Sequence, residues 1–252
     1  MMPAGDEALY VYGLMAADAA SRAAAADPSG RLLPVVAGEV AAVCELVQPE
    51  TVAAAVTDDD QLAALARRHD SVVHLLASYG ATLPARMGTV CGGDRLAAAL
   101  ADAQDALRQQ LQLVEGCSEW RLRVTPAARR DERRGSRPSE RAHATATSGT
   151  DYLRQRRAQR TAVVEAAVEA RSSFADLDAV LTEFSADSGD VIQGVRGSAH
   201  ARSYLIADAR ADALLTTIGP LLQQAMQAGE QVTLNGPMPA YSFVELRLGV
   251  PA

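Results

Sequence analysis

The sequence contains no lysine: all 24 of its basic residues are arginine. With the abundance of alanine, this fits the compositional bias of a high-GC genome better than any functional demand. Aromatic residues make up only 4%, so the core has to be built from Leu, Val and Ala, and small side chains each bury little area. Cysteine is scarce as well. Cys44, Cys91 and Cys117 are odd in number, far apart and without CxxC spacing, which argues against a disulfide framework or a zinc knuckle and favours a reducing cytosol. No stretch approaches the roughly 20 apolar residues needed to span a bilayer, so no membrane partner is expected. The run from Leu14 to Ala26 is alanine-rich and interrupted by Asp18, Ser21 and Arg22. The opening segment, Met1–Gly13, lacks the basic region and apolar run of a signal peptide.

What is present is globular in composition. The 252 residues are 48% hydrophobic and 22% charged, enough for one large domain or two ordinary ones. The net charge of −7 argues against nucleic acid as the main partner. The charge is uneven. Residues 121–160 hold 12 Arg and 4 acids, a balance of +8 that leaves −15 for the rest. Such asymmetry marks either a docking surface for an acidic partner or a solvated loop and helix face.

The expected elements divide the chain near residue 116. In the first part, strands are expected at 8–15, 33–37 and 40–47, with Gly38-Glu39 as a turn. Thr57-Asp58-Asp59-Asp60 offers N-cap chemistry for a helix over 61–79 that ends at Gly80. A second helix, capped by Asp94 and carrying Leu96, Leu100, Leu107, Leu111 and Val114, runs to Gly116. The second part, 117–252, opens with an alternating strand at 118–125. An Arg-rich variable loop at 126–150 follows, then helices at 151–172 and 174–184. Strands are expected at 191–195 and 201–207, a helix at 210–227 kinked or broken by Gly219-Pro220, and strands at 231–234 and 242–248. That order is β-α-β-β-α-β, a ferredoxin-like arrangement. The fold class expected is therefore α+β with two domains, 1–116 and 117–252, and no 20–50-residue repeat is visible.

Catalytic signatures are missing. There is no GxSxG, P-loop, GxGxxG or HExxH. His69-Asp70 is the single adjacent His-Asp pair, and His74, five residues on, is poorly placed to share a metal with His69 on one helical face. Cys91, beside Gly92-Gly93 and ahead of a helix N-terminus, is the best-placed thiol for a nucleophile, but nothing supplies a base. Neither a catalytic residue nor a metal or cofactor site is expected.

Two segments demand defined backbone shapes. Leu83-Pro84-Ala85-Arg86-Met87-Gly88-Thr89-Val90 sets a proline, an arginine and a glycine between two helices. Asn235-Gly236-Pro237-Met238-Pro239-Ala240-Tyr241-Ser242-Phe243 sets two prolines beside two aromatics. Leu83, Pro84, Arg86, Gly88, Gly236, Pro237, Tyr241 and Phe243 are the candidate corner or partner-binding residues. Arg86, in a mostly apolar loop, has two readings. It bonds backbone carbonyls across the corner, which is the favoured reading, or it meets an acidic group on a partner.

These segments resemble the gas vesicle protein GvpL/GvpF family. Leu9–Gly13 resembles its opening strand, Arg68–Val73 its first-helix motif, and Leu83–Val90 its LPxRFGTV loop. Ser148–Leu153 resembles its small-residue helix start and Asn235–Phe243 its GPWPPYSF ending, all in order along the chain. Met87 replaces the usual Phe, and Met238 and Ala240 replace the usual Trp and last Pro. The resemblance implies two α+β domains, the second a modified ferredoxin-like fold. It also implies an accessory or assembly protein of gas vesicles, the gas-filled protein shells used for buoyancy, with no enzymatic activity and a cytoplasmic, vesicle-associated location. The implied partners are the small hydrophobic shell protein GvpA and other gas vesicle accessory proteins.

Overall fold

A computed structural model describes residues 8–126, 172–189, 192–193 and 199–244. Apart from Pro126 and Ser172, the loop expected at 126–150 and the helix expected at 151–172 lie outside the described residues. The chain divides into two compact units. One comprises 1–120 with 205–209 and 236–252; the other comprises 121–204 with 210–235.

The first unit is built on β1 (Ala8–Ala16), β2 (Leu32–Ala37), β3 (Val40–Val47), β4 (Thr82–Pro84) and β5 (Val90–Cys91). The strand order is β2-β3-β1-β4, and every pairing is antiparallel. The short β5 also pairs with β1, at Leu9 and Tyr10, while β4 pairs with Gly13 to Met15. Both therefore share the edge of β1 that β3 leaves free, and the 85–89 corner lies between them.

The alternation of β1 is broken once. The register with β3 shifts between Val11 and Gly13, so Tyr12 is an extra residue. Leu9, Val11 and Leu14 consequently share one hydrophobic cluster, while Tyr10, Tyr12 and Met15 share another. Helices α4 (Gly93–Asp102) and α5 (Gln104–Val114) supply Leu96, Leu100, Leu107 and Leu111 to the first cluster. Helices α1 (Ala17–Ala25), α2 (Pro49–Val56) and α3 (Asp59–Ala77) supply Ala20, Ala23, Val52, Val72 and Leu76 to the second. Each strand residue thus has an apolar neighbour whichever face it takes.

The second sheet has the order β10-β6-β9-β7, formed by β6 (Cys117–Thr125), β7 (Ser185–Ser188), β9 (His200–Ala207) and β10 (Gln231–Met238). A short β8 (Ile192–Gln193) runs antiparallel to β9. With the short off-path strands β5 and β8 left aside and the rest numbered by appearance, the strands of both sheets run second, third, first, fourth. One topological order is used twice without a sequence repeat. In the second unit, helix α6 occupies 172–184 and α7 spans Ala211–Gln227. Leu122, Val124, Leu177, Leu181, Leu214 and Ile218 are buried there. Asp178 of α6 accepts hydrogen bonds from Tyr204 and Arg202 of β9, at 2.5 and 3.0 Å.

Several expectations need correction. Alanine-rich α1 and the eight-residue α2 are real helices; alanine favours helix but leaves little apolar periodicity to read. The helix expected to run to Gly116 is two, α4 and α5, divided at Ala103. Of the kink or break expected at Gly219-Pro220, the break does not occur. Leu214 and Ile218 before it and Ala225 after it are all buried on one face, and that packing holds both halves in one helix. Residues 241–244 form a turn rather than the start of a strand.

Candidate functional site

The 83–90 segment and residues 236–243 of the later one belong to the first unit, and both are tied to α3. The 83–90 corner starts from the core. Leu83 and Pro84 are buried in β4 and pair with Leu14 and Gly13. The backbone then bulges outward but is anchored at nearly every step. Ala85 N–H donates to Tyr12 O (2.9 Å), and Thr89 N–H closes the turn onto Arg86 O (3.1 Å). Val11 N–H donates to Thr89 O (2.9 Å), and Gly88 N–H donates to the Tyr10 hydroxyl (3.1 Å). Gly88 sits at φ +86°, a conformation open to glycine and strained for other residues.

Behind the corner lies a buried polar relay. The Tyr10 hydroxyl, already accepting from Gly88, donates to Nδ1 of His69 (2.9 Å), and Nε2 of His69 donates to Ala85 O (3.1 Å). This chain of donors fixes the neutral Nε2–H tautomer. Burial lowers the His69 pKa; the Ala85 carbonyl and the nearby Asp70 oppose that shift. Both ring nitrogens are committed. Among the described residues no group of three His, Cys, Asp or Glu is placed to hold a metal.

The residues flanking His69 hold other parts. Arg68 contacts Glu45 of β3 (3.3 Å) and Asp27 (3.7 Å). Glu45 also accepts from the Tyr12 hydroxyl (2.8 Å) and pairs with Arg31 (2.9 Å). Asp27 is buried, which disfavours its charge, but hydrogen bonds from Ser29, Arg31 and Leu32 outweigh that and bring its pKa down to about 2. On the other side, Asp70 Oδ1 accepts from the Tyr241 hydroxyl at 2.9 Å. Three consecutive residues of α3 therefore fasten β3, the 85–89 corner and the 237–244 segment.

The later segment is a strap over the first cluster. Ala240 is buried in it, and Phe243 and Val244 pack against it. Ser242 donates from both its N–H (2.7 Å) and its hydroxyl (2.8 Å) to the fully buried Glu119 carboxylate. Gly236 has a steric role: a Cβ there would overlap the indole of Trp120. Pro237 lines a cleft with Met238 and Pro239.

Of the eight residues singled out from sequence, seven are thus framework or strap. Arg86 is different. It is exposed beside exposed Met87, and its guanidinium makes no hydrogen bond or ion pair among the described residues. Cross-corner bonding by its side chain, the reading favoured from sequence, does not describe it. That task falls to Tyr10 and His69. Of the missed residues, Tyr10, Glu45 and Glu119 carried one signal, that a buried tyrosine hydroxyl or carboxylate needs a partner, while Trp120, which packs on Gly236, carried none. Cys91 is buried, which raises its pKa, the opposite of what activates a nucleophile.

Comparisons with known proteins agree along the chain. The family model for gas vesicle synthesis protein GvpL/GvpF matches residues 8–245. Gas vesicle protein L of Streptomyces sp. (strain CB03234) is 31% identical over 201 residues, which cover 74% of this chain and 71% of that protein. The crystal structures of GvpF from Anabaena sp. PCC7120 and from Microcystis aeruginosa share the fold. Each has a TM-score of 0.62 over 95% of this chain and 99% of the other, at 12% and 13% identity. The chain belongs to the GvpL/GvpF family of gas vesicle synthesis proteins.

Proposed function

We propose that this protein is an accessory factor of gas vesicle assembly that binds the small hydrophobic shell protein GvpA, with the Arg86–Met87 tip as part of the contact face. The observation that carries the reading is the contrast at the corner. Its backbone is bonded at Ala85, Arg86, Gly88 and Thr89, while the side chains of Arg86 and Met87 stand exposed. A rigid loop that displays one unpaired cation beside one flexible apolar side chain suits an apolar partner carrying a carboxylate. An escort of that kind would keep exposed apolar surface on shell subunits from aggregating.

The reading is of a binding protein, not an enzyme, acting in the cytoplasm and at the vesicle. It includes two α+β domains near 1–116 and 117–252, the second a modified ferredoxin-like fold. The strand order β10-β6-β9-β7, fourth-first-third-second by appearance once the short β8 is left aside, supports that part.

The test is co-expression with GvpA and affinity capture, for the wild type and for the Arg86→Ala/Met87→Ser variant. The expected result is lost capture at an unchanged Tm, because neither side chain is packed. Normal capture by the variant would move the contact face elsewhere. Failure of the wild type to capture GvpA while it captures other vesicle accessory proteins would favour a scaffold role.

A further inference from the structure

We infer that a cleft at the carbonyl ends of α3 and α5 is a docking site for a basic side chain, arginine or lysine, presented by another protein. The cleft has a volume of about 530 Å³. It is built wholly within the first unit. Residues 74 and 77–82 form one wall and 114–118 a second; Asp208 and the strap residues 237–240 complete it.

Its charge is one-sided. Glu115 and Asp208 line it, and no arginine among the described residues does. Neither carboxylate forms an ion pair with an arginine among the described residues. His74, the one ionisable base in the lining, is within 3.5 Å of Asp70. A neighbouring cleft shares Tyr79, Gly80, Ala81 and Glu115, and it shows the alternative arrangement. There Asp18 is paired with Arg22 at 2.8 Å and Glu39 with Arg108 at 3.2 Å, so the two acids it does not share are neutralised internally. In the larger cleft that neutralisation is left to an incoming group.

Two further features add to the negative field. The last turns of α3 and α5 end at the cleft, and each helix C-terminus carries a partial negative charge that favours cations. Asp208 is also held in place: its N–H donates to Gly116 O (2.8 Å), and it accepts from the Ser118 hydroxyl (2.5 Å). A pre-positioned carboxylate binds a cation without first ordering itself. Ala77, Ala81, Val114, Met238 and Ala240 give the cleft an apolar lining that fits the aliphatic stem of a long basic side chain. The volume leaves room for small residues on either side of it, which favours a peptide segment over a lone cation.

This surface is separate from the Arg86–Met87 tip and does not rest on the role proposed for it. The two also ask for opposite charges on the partner. The test is a titration of the ¹⁵N-labelled full chain, followed by amide shifts, with the peptide acetyl-Ala-Arg-Ala-amide. Parallel arms use the same peptide with neutral citrulline in place of arginine, and free spermidine. The expected result is saturable shifts at Gly80, Gly116 and Ser118 with the arginine peptide alone. In Asp208→Asn/Glu115→Gln the affinity should fall at least about tenfold, since charge-assisted bonds are lost. Asp208→Asn alone, which keeps an acceptor for Ser118, replaces the double variant if the latter unfolds. The absence of shifts, equal shifts with citrulline, or wild-type affinity in the variant would each overturn the inference. Tighter binding of spermidine at the same amides would make this a site for small cations and would overturn the peptide assignment.

Discussion

The hydroxyl of Tyr241 lies 2.9 Å from Oδ1 of Asp70, a contact across 171 residues of sequence. It fixes the strap to α3 one residue beyond His69, whose ring holds the 85–89 corner. Burial and the neighbouring Asp70 carboxylate both push the Tyr241 pKa up, so at neutral pH the phenol stays protonated and the carboxylate accepts. The two proline-containing segments, far apart in sequence, are thereby set by adjacent residues of one helix.

Tyr241→Phe removes this bond and little else. A single hydrogen bond is worth about 1 kcal/mol net, which corresponds to a fall in Tm of about 2–4 °C for a protein of this size. Asp70→Ala should cost a similar amount, and the double variant should cost less than the sum of the two. Additive losses in a thermal-unfolding cycle would show that the two groups do not interact.

Part of this arrangement was legible in the sequence. Asp58 caps α3 through Gln61 N–H at 2.9 Å, as the Thr-Asp-Asp-Asp run suggested, because capping is local chemistry. Proline and glycine in the two segments announced defined turns for the same reason. The freedom of Arg86 was not legible. Whether an arginine in an apolar loop bonds carbonyls depends on what else reaches them, and here Tyr10 and His69 come from other elements. Nor could the bulge at Tyr12 be read, although it decides which face each later residue of β1 takes. Such facts live in tertiary pairing, to which local periodicity is blind.

Gly236→Ala should be costly for a purely steric reason. The added methyl would overlap the indole of Trp120, which is itself buried. Overpacking of this kind costs about 1–3 kcal/mol. Combining it with Trp120→Phe should recover part of the loss, since the smaller ring makes room. If urea unfolding shows the double variant to be no better than the sum of the singles, the clash is not the cause.

Glu45 serves three partners at once: the Tyr12 hydroxyl, Arg31 and Arg68. Glu45→Ala leaves a buried hydroxyl without its acceptor and one half-buried guanidinium short of a counter-charge, a loss of about 2–3 kcal/mol. Arg31 is 61% exposed at its side chain, so Arg31→Ala should cost about 1 kcal/mol or less. Equal losses in the two variants, measured by chemical denaturation, would contradict this ranking of the network.

His69 gives the fold a specific weakness to acid. Its folded pKa lies below the ordinary value of 6.5, because burial disfavours the charged ring. The unfolded chain therefore binds a proton more readily than the native state does. Stability from this group is fully present above pH 6.5 and is lost as pH falls from there through the folded pKa. Protonation also conflicts with the geometry, since Nδ1 would become a second donor facing the Tyr10 hydroxyl, whose own proton points at it. The 85–89 corner should loosen with it, because Ala85 and Gly88 are held by this pair. His69→Gln, which keeps polar atoms near both partners without titrating, should be less stable than the wild type at pH 7.5. It should also lose less stability between pH 7.5 and 5. Urea midpoints of both proteins across that range decide the matter, and parallel pH profiles would mean that His69 does not carry the acid sensitivity.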